Sequence, residues 1–137
     1  MQNRLLTSSL LAALSQYPLY SQESTPTPDQ HAVTAFAIGN IRWYILEGNA
    51  EGSTFTFYGL VCGMSETPEL GYINADELAS IALDGEKYGY PAGIVFRVEP
   101  IANFTPCKLS EIAETDVKAF CSKWHRSVQS KFSLNSV

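Results

Sequence analysis

Between Val33 and Val61 the side chains change character every second residue, and two short glycine- and asparagine-containing breaks divide the run into three. A period of two is the signature of extended chain, because successive side chains on a strand point to opposite faces. The pieces are 33–38, Ile41 to Glu47 and Ser53 to Val61, separated by Gly39-Asn40 and by Gly48-Asn49-Ala50-Glu51-Gly52. Breaks this short leave room only for antiparallel hairpins. Alternation then sorts the residues. Trp43, Ile45 and Glu47 share one face, with Arg42, Tyr44 and Leu46 on the other. Phe55, Phe57, Gly59 and Val61 oppose Thr54, Thr56, Tyr58 and Leu60. Trp43, Phe55 and Phe57 are expected in the core, and Tyr44 and Tyr58 at an exposed surface or interface.

The flanks read as cover for this meander. Leu6, Leu10, Leu11 and Leu14 form one apolar stripe, predicting a helix over 5–17 that Pro18 ends. A polar connection follows over 21–30 with Pro26 and Pro28. After a loop from Gly63 to Glu69, Leu70 to Ile73 is a short extended piece. The sequence Asn74-Ala75-Asp76-Glu77 predicts a capping box opening a second helix, with Leu78, Ile81 and Ala82 inward and Gly85 at its end. Gly93 to Val98 reads as a fourth strand. Val117, Phe120, Cys121, Trp124 and Val128 recur at helical spacing, predicting a last helix over about 115–130. The expected fold is a single α+β domain over 1–137: a curved antiparallel sheet of four to five strands with helices packed on one face, the first and last helices sharing the same apolar surface.

Charge narrows the function classes. Nine basic residues stand against fourteen acidic ones, a net charge of −5. Nucleic-acid backbones are bound chiefly through Lys and Arg, so no direct nucleic-acid ligand is expected. No apolar run approaches the roughly 18 residues of a membrane span, and the Arg4 to Ser15 segment makes a poor export signal because Thr7-Ser8-Ser9 interrupts it. Cys62, Cys107 and Cys121 are odd in number and match no zinc spacing, which predicts reduced thiols in a cytoplasmic protein. His31 and His125 lack a third ligand at a recognisable spacing, so no metal and no cofactor is expected. Gly59, Gly63 and Gly71 lack the Lys-Ser/Thr of a phosphate loop, and no G-x-S-x-G supports a nucleophile elbow. Gly71 is instead expected where a positive φ or a close backbone approach is needed.

Two groupings remain as candidate sites. Glu47 and Glu69, with Tyr72 and Arg42 nearby if the 62–72 loop folds back, would form a paired-carboxylate cleft able to act as general acid and base. The competing reading has both carboxylates accepting hydrogen bonds from turn amides. The second grouping is aromatic: Tyr44 and Tyr58 on one face, joined by Glu69 and Tyr72 from the loop, as a binding surface.

The central segment also resembles a known bacterial family, the group called domain of unknown function 2958. The resemblance covers about residues 4–100. It is carried by the Leu5 to Leu14 helix, Pro18-Leu19-Tyr20-Ser21-Gln22-Glu23, Trp43-Tyr44-Ile45-Leu46-Glu47, Phe57-Tyr58-Gly59-Leu60-Val61 and Glu69-Leu70-Gly71-Tyr72 with Asp76-Glu77-Leu78. The chain departs from the pattern where Ala35 replaces a lysine and in its helix after Thr115. The resemblance implies an accessory protein of plasmids, phages or integrated elements and assigns no chemistry. The expectation is therefore a non-enzymatic protein-binding module whose partner is a host or element-encoded protein. Its oligomeric state is left open, a homodimer included. The alternative is a small hydrolase or transferase using Glu47 and Glu69.

Overall fold

A computed structural model describes residues 3–124. The first helix is α1 (Ser8–Leu14), whose N-cap Thr7 accepts the Leu10 amide through its hydroxyl. The chain continues through β1 (His31–Ala32), β2 (Thr34–Ile38), β3 (Ile41–Glu51), β4 (Thr54–Cys62) and β5 (Glu69–Asn74). Then come α2 (Ala75–Ser80), β6 (Ala82–Asp84), β7 (Val95–Arg97), β8 (Glu99–Pro100) and β9 (Cys107–Lys108). A helix over 115–124, α3, closes the described part. The expected continuation to about 130 lies outside the described residues.

The fold is α+β. Its centre is a five-stranded antiparallel sheet in the order β5-β4-β3-β2-β8. Gly39, at φ 55°, begins the two-residue turn between the paired Ile38 and Ile41, a conformation glycine takes without penalty. Two small antiparallel pairs, β1 with β9 and β6 with β7, stand beside the sheet.

Except at Glu47, alternation sorts the strands as expected. Phe36, Ile38, Trp43, Ile45 and Phe57 pack with Leu10 and Leu14 of α1 and Leu78 of α2. Ala35, Tyr44, Leu46, Leu60 and Cys62 form a second layer with Leu109, Ile112, and Val117 and Cys121 of α3. Cover therefore lies on both faces, and α3 sits opposite α1 instead of sharing its surface. The run Trp43 to Leu46, with no strongly polar residue, is the physical reason: strands wet on one face break such runs with polar side chains. Tyr44 is corrected with it. The residue is 5% exposed, its ring against Phe104 and its hydroxyl donating to the Glu114 carboxylate.

Local expectations also change: α1 is shorter than 5–17, and β3 runs on through the expected break as far as Glu51. Helix α2 stops at Ser80, and Ile81 is already extended at ψ 125°. The chain there prefers to pair β6 with β7, which draws Val95–Arg97 out of the main sheet. Glu99–Pro100 pairs with β2 in its place. Gly71 has a negative φ and open space where a Cβ would be. The close approach lies at Gly59, where a Cβ would stand 2.2 Å from the Tyr44 carbonyl oxygen.

Candidate functional site: a tyrosine platform held by Glu47

The ladder between β3 and β4 slips once. Ile45 pairs with Gly59 and Glu47 with Tyr58, leaving Leu46 as an extra residue. Such a bulge sends two neighbouring side chains toward one side. Leu46 joins the second layer, and Glu47 stands on the face of its cross-strand partner Tyr58. Unbroken alternation places Glu47 with Trp43 and Ile45; the bulge overturns that.

From this position Glu47, 3% exposed, reaches the chain that leaves α1. One carboxylate oxygen accepts the Tyr20 amide at 2.8 Å and the other the Gln22 amide at 2.9 Å. Asn49 accepts the Leu19 amide at 2.6 Å. The Gln22 side chain donates to the carbonyls of Leu46 and His31 and accepts the His31 amide. Residues 18–22 are thereby strapped across the end of the sheet. Within the strap the Ser21 amide donates to the Pro18 carbonyl at 3.0 Å. Tyr20, third in that turn, has φ 74°. The left-handed region is normally left to glycine or asparagine there, and costs other residues roughly 1–2 kcal/mol.

The strained backbone aims the Tyr20 side chain outward, 59% exposed. Its ring meets Tyr72 at a centroid distance of 6.3 Å, and Tyr72 meets Tyr58 at 5.1 Å. Tyr72 is opposite Tyr58 in the β4–β5 ladder and 58% exposed. A hydrogen bond to Tyr20, then desolvation and nearby phenol and carboxylate groups, pushes the Tyr72 phenol up to about 12. Burial, then the Glu47 carboxylate, raises that of Tyr58. At neutral pH the Tyr58 and Tyr72 rings are neutral faces available for stacking. Beside Tyr20 and Tyr72 opens a cleft of about 470 Å³, whose walls include Glu51, Thr56, Asn74 and Glu77.

The candidate residues are thus divided. Tyr58 and Tyr72 come together. Tyr44 is inside, under α3. Glu69 is exposed, but it pairs with Val61 while Tyr72 pairs with Tyr58, which places Glu69 and Tyr72 on opposite faces of β5. Glu47 shares the Tyr58 face, so the two carboxylates do not meet in one cleft. Glu47 does accept backbone amides, although they belong to the strap and not to the hairpin turns. The Arg42 guanidinium turns back to the carbonyls of Gly39 and Ile41.

Three residues of the platform escaped sequence reasoning: Tyr20, Glu51 and Glu77. The one signal for Tyr20 is an aromatic side chain at the head of a polar connection. The capping box predicts that Glu77 reaches back to Asn74, but the cap is one-sided: Asn74 accepts the Asp76 and Glu77 amides, and Glu77 lines the cleft.

Among the described residues no group of three or more His, Cys, Asp or Glu is arranged to hold a metal ion. His31 stacks on Tyr17, and the three cysteines are unpaired thiols. No helix among these residues is long and apolar enough to cross a membrane. No protein-family model matches the chain, and no curated protein or solved structure is significantly similar to it.

Proposed function

We propose that the chain is a non-enzymatic binding module that meets a protein partner through the Tyr20–Tyr72–Tyr58 platform. The observation that carries this reading is the use made of Glu47. Both its oxygens are engaged by the amides of Tyr20 and Gln22, in service of an exposed aromatic side chain. A carboxylate so occupied is a poor general base, whereas a pair of exposed tyrosines on a held backbone is a ready anchor: tyrosine buries much area on binding while losing little rotamer freedom. The resemblance to the domain of unknown function 2958 group supplies a setting. In that setting the module is an accessory protein of a mobile genetic element, acting in the cytoplasm on a host or element-encoded protein. Four of the phrases that carry the resemblance supply Tyr20 and Gln22, Glu47, Tyr58 and Tyr72, which supports reading the platform as the working surface.

The test is affinity capture with the immobilised chain, comparing wild type, Tyr72→Ala and the distant exposed control Tyr88→Ala. Proteins retained by wild type and by Tyr88→Ala but released by Tyr72→Ala are the expected result. An identical retained set on all three overturns the reading.

A further inference from the structure

We infer that the cleft beside Tyr20 and Tyr72 seats a cationic side chain, an arginine presented by the partner polypeptide. This rests on the binding reading above and adds the chemistry of what is bound. The two tyrosine rings meet at a tilt of 59° with centroids 6.3 Å apart, and both line the cleft. A flat cation seated in the cleft against an aromatic wall comes within about 6 Å of a ring centre, the range over which an aromatic face attracts positive charge. The remaining walls agree in sign. Glu51, at the end of β3, and Glu77, in the first turn of α2, both line the cleft, and no lysine or arginine does. Among the described residues neither carboxylate takes part in a salt bridge. Thr56 and Asn74 add neutral hydrogen-bonding groups between them.

Arginine fits better than lysine on physical grounds. Its guanidinium is planar, is weakly hydrated, stacks on aromatic rings and forks onto carboxylates, while an ammonium holds its water more tightly. The seat is also set before the ligand arrives. Tyr20 is fixed through its backbone by Glu47, and Tyr72 through its ladder to β4. Little backbone ordering is then left for association to overcome. The surplus acidity of the whole chain favours the approach of a basic partner.

The experiment titrates the full chain with N-acetyl-arginine methylamide, and separately with N-acetyl-citrulline methylamide, which has nearly the same shape without the charge. Binding is followed through the ring resonances of Tyr20 and Tyr72 at low salt. Expected are saturable shifts with the arginine probe at roughly millimolar concentration, and binding of the citrulline probe weaker by about fivefold or more. The double variant Glu51→Gln/Glu77→Gln, its spectrum otherwise unchanged, binds the arginine probe several-fold more weakly. Equal responses to the two probes, or arginine binding untouched by the double variant, overturn the cationic seat while leaving a tyrosine binding surface standing. No response of either ring to the arginine probe overturns it too. The capture experiment with Tyr72→Ala separately decides the binding reading itself.

Discussion

Glu47 and Tyr20 are far apart in sequence, yet the Glu47 carboxylate accepts the Tyr20 backbone amide at 2.8 Å and fixes the left-handed turn that presents the tyrosine ring. A strand residue thus sets the position of a surface aromatic that it does not itself place beside a ligand.

Replacing that carboxylate should release the strap. In Glu47→Gln one oxygen becomes an NH2 group facing an amide N–H, and a buried donor is left unmade. The expected loss is about 2 kcal/mol, read from the midpoint of urea unfolding. Unchanged stability would mean the strap is held by Asn49 and Gln22 alone.

Tyr20 separates strain from function. Tyr20→Gly and Tyr20→Ala both remove the ring, but only glycine takes φ 74° freely. The glycine variant should therefore be more stable than the alanine variant by about 1 kcal/mol, and both should lose partner capture. Thermal unfolding of the pair measures the difference directly.

Gly59 and Gly71 face each other across the β4–β5 ladder and should respond oppositely to alanine. A Cβ at Gly59 meets the Tyr44 carbonyl oxygen at 2.2 Å, and one at Gly71 meets nothing within 4 Å. Gly59→Ala is expected to cost more than about 2 kcal/mol because backbone must move. Gly71→Ala should stay within about 0.5 kcal/mol of wild type. Paired denaturation curves decide it.

Alkaline pH should weaken the fold through Tyr44 and Cys62. Desolvation, then the Glu114 carboxylate, pushes the Tyr44 phenol well above its ordinary value, and burial, then Glu114 and Asp116, pushes the Cys62 thiol up to about 12. A group with a raised folded pKa contributes stability in full below its unfolded pKa. That contribution is lost as pH rises from the unfolded value toward the folded one, since the unfolded chain releases the proton first. Stability should fall from about pH 9 upward, where free thiols and then phenols ionise. Tyr44→Phe should flatten the fall. A wild-type stability that is level from pH 8 to 11 would contradict this.

Much of the centre was legible because alternation is a short-range rule. The hairpins, the turn at Gly39 and the opposite facing of Trp43 and Tyr44 all follow from neighbours in the chain. Tyr44 was misplaced for another reason: alternation says which side a residue takes, not whether that side is covered. The cover comes from Val117 and Cys121, more than 70 positions away. Glu47 was misplaced because a bulge adds one residue to a ladder without a sequence mark of its own. The need for glycine at 59 has no local mark either, because it comes from the close approach to the Tyr44 carbonyl beside that bulge. The platform was half visible: Tyr58 and Tyr72 are strand residues, while Tyr20 depends on two hydrogen bonds to a carboxylate 27 positions onward.

The bulge at Leu46 carries a consequence for ionic strength. By delivering a leucine and a glutamate side by side, it hangs the strap from an anchor sheltered by hydrocarbon, where dissolved ions cannot reach the bonds they would screen. The cleft is open to those same ions. Molar salt should strip a charged visitor from the rings and leave the rings where they stand, so the perch and its occupant respond to salt independently.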